Sequence, residues 1–142
     1  MASVHTVCVA DRKGVKKHAV TSIELVVDYG VAGDAHAGSG RQVSLLALED
    51  MEIMRAKLAT LQPGDFAENI LVDGLSALDL PVGGQVRIGQ DVLLEITQIG
   101  KECHKGCAIR EAVGECIMPK RGLFAKVLEP GTIRSGDAVV LA

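Results

Sequence analysis

A chain of 142 residues that is 48% hydrophobic can bury a core of its own, which excludes a miniature held together only by disulfides or metal. Fifteen Lys and Arg against eighteen Asp and Glu leave a formal charge of -3, and the aromatic complement is one Tyr and two Phe, so a phosphate-attracting field and base stacking are both missing and nucleic acid is not an expected partner. The opening residues MASVHTVCVADRKG lack a charged head followed by a long apolar run, and no stretch nears the roughly 18 apolar residues of a membrane span. The expectation is a cytoplasmic protein with no membrane partner, in a compartment that keeps its four cysteines reduced.

The runs SVHTVCVA and AVTSIELVVD open the chain as β-branched strand sequences, with Cys8 inside the first as a small core hydrophobe. GVAGDAHAGSG follows, bringing Gly30, Gly33, Gly38 and Gly40 close together, with Asp34, His36 and Arg41 around them. Tight turns there would expose backbone amides beside an acid, an imidazole and a bidentate guanidinium, so the stretch is either a plain turn or an anion-binding loop. It has neither the Gly-Lys-Ser/Thr of a Walker motif nor the strand-to-helix setting of a dinucleotide fingerprint.

QVSLLAL continues as a strand, and LEDMEIMRAKLATL is the one long helical pattern. Met51, Met54, Leu58 and Leu61 share a stripe that should face the core, Glu52, Arg55 and Lys57 lie off it, and Pro63-Gly64 ends it. Asp65 caps the turn. In ENILVDG the polar pair Glu68-Asn69 heads a strand, as residues that hydrogen-bond into a loop and hold it, or as a carboxylate and carboxamide that read a ring such as a pterin. GQVRIG, VLLEITQIG, LFAKVL and DAVVLA complete the strands, with turns at PVGG, GQD and PGTIRSGD. That spacing predicts a single domain over 1–142, mainly β, built as a β-barrel with one or two short helices, the second over 108–112.

The stretch IGKECHKGCAIREAVGEC places Cys103, Cys107, Cys116 and His104 within one short segment. A zinc site completed by His104 or His36 is one reading, although the spacing lacks a second ligand pair. A Cys103–Cys107 redox pair is another, without the two-residue spacing of thioredoxin-like motifs. The third makes Cys103 a nucleophile or soft metal ligand: it follows a strand end, and Lys101, His104, Lys105 and Arg110 would favour its thiolate while Glu102 opposes them. Composition and spacing leave the three open, with Cys116 the most easily accommodated as structural.

The blocks GDAHAG, RQVSLL, PGDFAENILVDGL, GGQVRIGQDVLLEITQIGKECHKGC and GLFAKVLEPGTIRSGDAVV, in that order from about Val20 to Val140, resemble a MOSC domain, the module named after the C-terminal domain of molybdenum cofactor sulfurase, in its small stand-alone form. The resemblance implies a β-barrel and molybdenum cofactor chemistry. Such domains are regarded as sulfur carriers that accept sulfane sulfur from a pyridoxal phosphate-dependent cysteine desulfurase and pass it to a metal-sulfur centre. Some relatives bind the molybdenum cofactor (molybdopterin) and reduce N-hydroxylated compounds.

Cys103 matches the family's hallmark cysteine, Gly33 and Asp34 its glycine-aspartate pair, Arg41 its arginine, and Glu68 and Asn69 its Glu-Asn pair. The resemblance therefore implies a Cys103 that carries sulfur as a persulfide or ligates molybdenum; its neighbours Lys101, His104 and Lys105 would keep the sulfur anionic, and Cys107, which is not part of the family hallmark, could resolve the persulfide as a disulfide. It further implies that Arg41, with the loop from Gly33 through His36 to Gly40, holds the cofactor's phosphate, and that Glu68 and Asn69 orient the pterin or the loop around it. No desulfurase sequence accompanies these blocks, so the expected partners are a sulfur donor and a molybdenum enzyme or cofactor biosynthesis protein. The alternative is a non-catalytic cofactor-binding or zinc-stabilised β-barrel with structural cysteines.

Overall fold

The computed structural model describes residues 2–12, 16–35, 37–38, 42–100 and 122–142. Strands dominate the described residues: β1 (Ala2–Val9), β2 (His18–Val20), β3 (Ser22–Val26), β4 (Gly30–Val31), β5 (Val43–Ala47), β6 (Ile70–Asp73), β7 (Gln85–Ile88), β8 (Val92–Ile99), β9 (Leu123–Glu129), β10 (Gly131–Arg134) and β11 (Ala138–Leu141). Helix α1 (Leu48–Arg55) and a 3-10 turn, Leu75–Ala77, complete them.

The order β11-β7-β8-β9-β5-β6-β1 closes on itself because β1 also pairs with β11, making a seven-stranded barrel with no free edge around its wall. Strand β2 is added outside the ring on β1, and β10-β3-β4 form a separate three-stranded sheet. Every pairing is antiparallel except β5 with β6, where Leu45 faces Ile70 and Ala47 faces Val72. Two parallel neighbours need a crossover, and α1 with the residues after it supplies one over the outside of the wall.

Side-chain alternation divides these strands into two faces. Val7, Leu45, Ile70, Val72, Leu94, Ile96 and Val127 point into the barrel and are almost wholly buried, a filling made without aromatic rings. Leu46 and Leu71, one residue along, point outward and meet Met51, Met54, Leu61, Phe66 and Phe124 in a second, smaller core. The methionine stripe thus faces a core as expected, but the helix ends at Arg55 rather than near Leu61. Its last turn tightens, with the Ala56 N–H donating to Ile53 O and the Lys57 N–H to Met54 O, and Leu61 reaches the same core from an irregular segment.

Two expectations of turn are corrected in part. Strand β4 lies within GVAGDAHAGSG and strand β10 within PGTIRSGD, each registered against β3. The short helix expected over 108–112 lies outside the described residues.

Candidate functional site

The outward face of β1, β5 and β6 carries a polar seam. Cys8, Ser44 and Asn69 are each one residue out of phase with Val7, Leu45 and Ile70, and all three are buried. The Asn69 Oδ1 accepts from the Ser44 N–H (3.0 Å) and the Ser44 hydroxyl (3.2 Å), and its Nδ2 donates to Cys8 O (3.1 Å). Its backbone joins the same partners, since the Cys8 N–H donates to Asn69 O (2.7 Å) and the Asn69 N–H to Ser44 O (3.0 Å). One carboxamide therefore ties three strands where their ladder bonds run out. Among the described residues no buried side-chain nitrogen or oxygen lacks a partner.

Glu68 sits beside this seam and is fully buried. Its carboxyl accepts from the Gly64 N–H (2.7 Å) and the Phe66 N–H (3.2 Å), folding the turn after Pro63 back on itself. Asp65 caps that turn as expected, accepting from the Gln62 N–H at 2.9 Å. Burial raises the Glu68 carboxyl to about 7, the backbone donors opposing it in part. The neighbouring Cys8 thiol is pushed up to about 12, first by burial and then by the charge of Glu68. Only glycine fits at position 64: φ is +93°, and a Cβ would stand 2.1 Å from Lys17 O.

The glycine-rich loop is anchored at both ends. At its neck Gly30, with φ +119°, lies so close to Gln42 that a Cβ would be 2.5 Å from the Gln42 carbonyl oxygen. At its front Asp34 takes the Lys17 ammonium on both oxygens (2.8 and 2.7 Å) and the Ala10 N–H on one of them (3.1 Å). A Cβ on Gly33 would meet nothing within 4 Å among the described residues.

The expected site residues divide accordingly. Gly33, Asp34, Glu68 and Asn69 are described, and among the described residues the side chains of the last three hydrogen-bond to the protein's own backbone, to Ser44 and to Lys17. Those bonds are the ones expected of residues that hold a loop. His36, Arg41, Lys101, Cys103, His104, Cys107 and Cys116 lie outside the described residues. The segment that carries the cysteines leaves β8 and returns to β9 at a single point, where the Gly100 N–H donates to Gly122 O at 2.7 Å. Beside that point is a cavity of about 140 Å3 lined by Ala47, Asp50, Leu75, Ser76, Leu78, Leu80 and Leu123.

Sequence reasoning missed Lys17 and Ser44. Lys17 follows Lys16 in a basic run that looks solvated, and Ser44 is a single hydroxyl within an apolar strand. Neither carries a local signal of its partner, which lies 17 or 25 residues away.

As a test of fit to the cofactor the family is linked to, the described residues supply a frame: a loop pinned at Asp34, and a glutamate and asparagine that fix the neighbouring turn and strands. Groups that would touch a ligand come from the loop amides and from positions outside the described residues.

A seven-stranded barrel, closed by the β1–β11 pairing and with one helical crossover outside its wall, defines a β-barrel module. The sequence pattern of the MOSC domain matches residues 32–140, and the chain belongs to that family, which is associated with the C-terminal domain of molybdenum cofactor sulfurase. Among solved structures it is similar to the YUAD protein from Bacillus subtilis, with 20% identity, a TM-score of 0.77 and coverage of 98% of this chain and 94% of that one. It is also similar to YiiM from Geobacillus stearothermophilus (18% identity, TM-score 0.74, 100% and 75% of the two chains) and to YiiM from Escherichia coli (19%, 0.66, 99% and 68%). At these identities what is shared is the fold. No curated protein matches the chain. Among the described residues no helix is long and apolar enough to cross a membrane.

Proposed function

We propose that this chain is a cytoplasmic, molybdenum cofactor-associated sulfur carrier whose working group is Cys103. The observation that carries the reading is the Gly100–Gly122 bond, which fixes both roots of the cysteine segment at the barrel rim. Cys103 is three residues past Gly100, so chain length alone keeps its backbone within about 11 Å of that point. The strand-end position and the neighbouring Lys101, His104 and Lys105 favour a thiolate, whereas the only described thiol, Cys8, is buried and protonated.

The step is thiol exchange. Cys103 thiolate attacks the outer sulfur of a persulfide on a donor protein, the donor's S–S bond breaks, and the donor leaves as a thiolate while Cys103 holds the new S–S bond as a persulfide. Attack by an acceptor on that terminal sulfur returns the Cys103 thiolate, with no net oxidation. Lys101 and His104 stabilise the anionic sulfur, and Cys107 offers a second thiol to discharge the persulfide as a disulfide with release of hydrosulfide.

The molybdenum cofactor, when bound, supplies the metal-sulfur centre; Arg41, His36 and the loop amides beyond Gly33 would hold its phosphate, with Asp34, Glu68 and Asn69 keeping the loop in place and Cys103 as the soft donor suited to the metal. The donor is a cysteine desulfurase, which brings its own pyridoxal phosphate, and the acceptor a molybdenum enzyme or cofactor biosynthesis protein. Cys103→Ala is expected to keep the fold and lose labile sulfur after exposure to such a donor, measured by cyanolysis. A Cys103→Ala protein that carries as much labile sulfur as wild type refutes the reading, and one that loses bound zinc together with its fold favours structural cysteines.

A further inference from the structure

Lys17 and Asp34 form an ion pair whose side chains are 1% and 0% exposed. Taking two charges out of water costs several kcal/mol per ion, and pairs of this kind are often replaced by apolar residues without loss of stability. Stability alone therefore does not account for the pair, and its geometry suggests what does. Lys17 is held by its own backbone, the N–H donating to Gly64 O at 2.9 Å in the turn that Glu68 closes. Its ammonium spans both oxygens of Asp34, the first polar residue of the glycine loop. From there the loop is tied to the end of β1 twice, by the Ala10 N–H on Asp34 and by the Ala35 N–H on Ala10 O (2.8 Å). Glu68, the turn, Lys17, Asp34 and the loop form one chain of contacts.

We infer that Lys17 is a positioning residue for the start of the glycine-rich loop: its ammonium pins Asp34 and with it fixes the course of the backbone from Gly33 to Ala35. The inference rests on reading that loop as the anion-holding part of the proposed site.

The test pairs Lys17→Met with Asp34→Leu, which removes both charges and keeps an apolar filling, and adds the milder Lys17→Gln and the conservative Lys17→Arg. Amide hydrogen exchange reads the loop at Ala35 and the barrel at Leu45, and calorimetric titration with inorganic pyrophosphate reads anion binding. The double variant should unfold near the wild-type midpoint and keep Leu45 protection, yet lose about tenfold or more in Ala35 protection and in pyrophosphate affinity, while Lys17→Arg retains most of both. Unchanged Ala35 protection in a folded double variant overturns the inference. Should the double variant not fold, Lys17→Gln decides in the same way: about tenfold loss at Ala35 with Leu45 unchanged supports it, no loss overturns it. If Ala35 protection falls as expected but wild type itself takes no pyrophosphate, Lys17 positions the loop and it is the anion-holding reading that fails.

Discussion

Strands β1, β5 and β6 serve two regions with opposite physics, one residue apart. Val7, Leu45 and Ile70 face the barrel interior, where any apolar side chain of suitable volume would serve and burial of area supplies the stability. Cys8, Ser44 and Asn69 face outward into the seam, where the Asn69 carboxamide and the Ser44 hydroxyl have specific partners and replacing Asn69 leaves the Ser44 N–H without one. The interior makes a barrel; the seam and the contacts beside it determine where the 62–67 turn and the glycine loop sit.

The sharpest test of this contrast sets Asn69→Leu against Leu45→Ala. The first keeps apolar volume but strands the Ser44 N–H and takes the carboxamide donor from the Cys8 carbonyl, while the Ser44 hydroxyl keeps the Ala67 carbonyl and the backbone N–H of residue 69, an expected loss of about 4 kcal/mol in urea unfolding. The second removes buried methyl groups and should cost about 3 kcal/mol. If Asn69→Leu costs less than about 1 kcal/mol, the seam is not specific in the sense described.

A pH series sharpens the comparison further. Glu68 has a folded-state pKa of about 7 against an ordinary 4.5, so the folded state holds the proton more tightly than the unfolded chain. Its contribution is complete below the unfolded value and is lost as pH rises through the folded one, on the order of 2 to 3 kcal/mol between about pH 5 and pH 8. Glu68→Gln should flatten that decline in stability, measured as urea midpoints across the range. An equally steep decline in the variant assigns the pH dependence elsewhere. No interior substitution should alter the slope.

The same division governs what was legible in advance. The barrel strands announce themselves through β-branched runs between turns, because an apolar filling leaves a periodic trace. Strand β4 does not, since two residues, Gly30 and Val31, pair with β3 inside a glycine-rich run, and β10 is framed by Gly131 and Ser135 in turn-forming company. Helix α1 was expected to run on because Leu58 and Leu61 continue the stripe; they do face the second core, but from a chain that has already left the helix. At the site, Glu68 and Asn69 stand out as polar residues heading an apolar strand, and Asp34 as an acid among glycines. Their partners were not legible. A buried ion pair closed across 17 residues and an amide staple across 61 leave no local pattern, and only the folded register brings Lys17 to Asp34 or Cys8 to Asn69.

The two thiols Cys8 and Cys103 carry the comparison to function: one is sealed in the seam, and the other follows Gly100 by three residues in the sequence. Intact and peptide-level mass spectrometry after incubation with a cysteine desulfurase and cysteine tests the central claim directly. The expected result is an increment of about 32 Da, one sulfur atom, on Cys103, with Cys8 unmodified. An increment confined to Cys116, or appearing on Cys8, would contradict it.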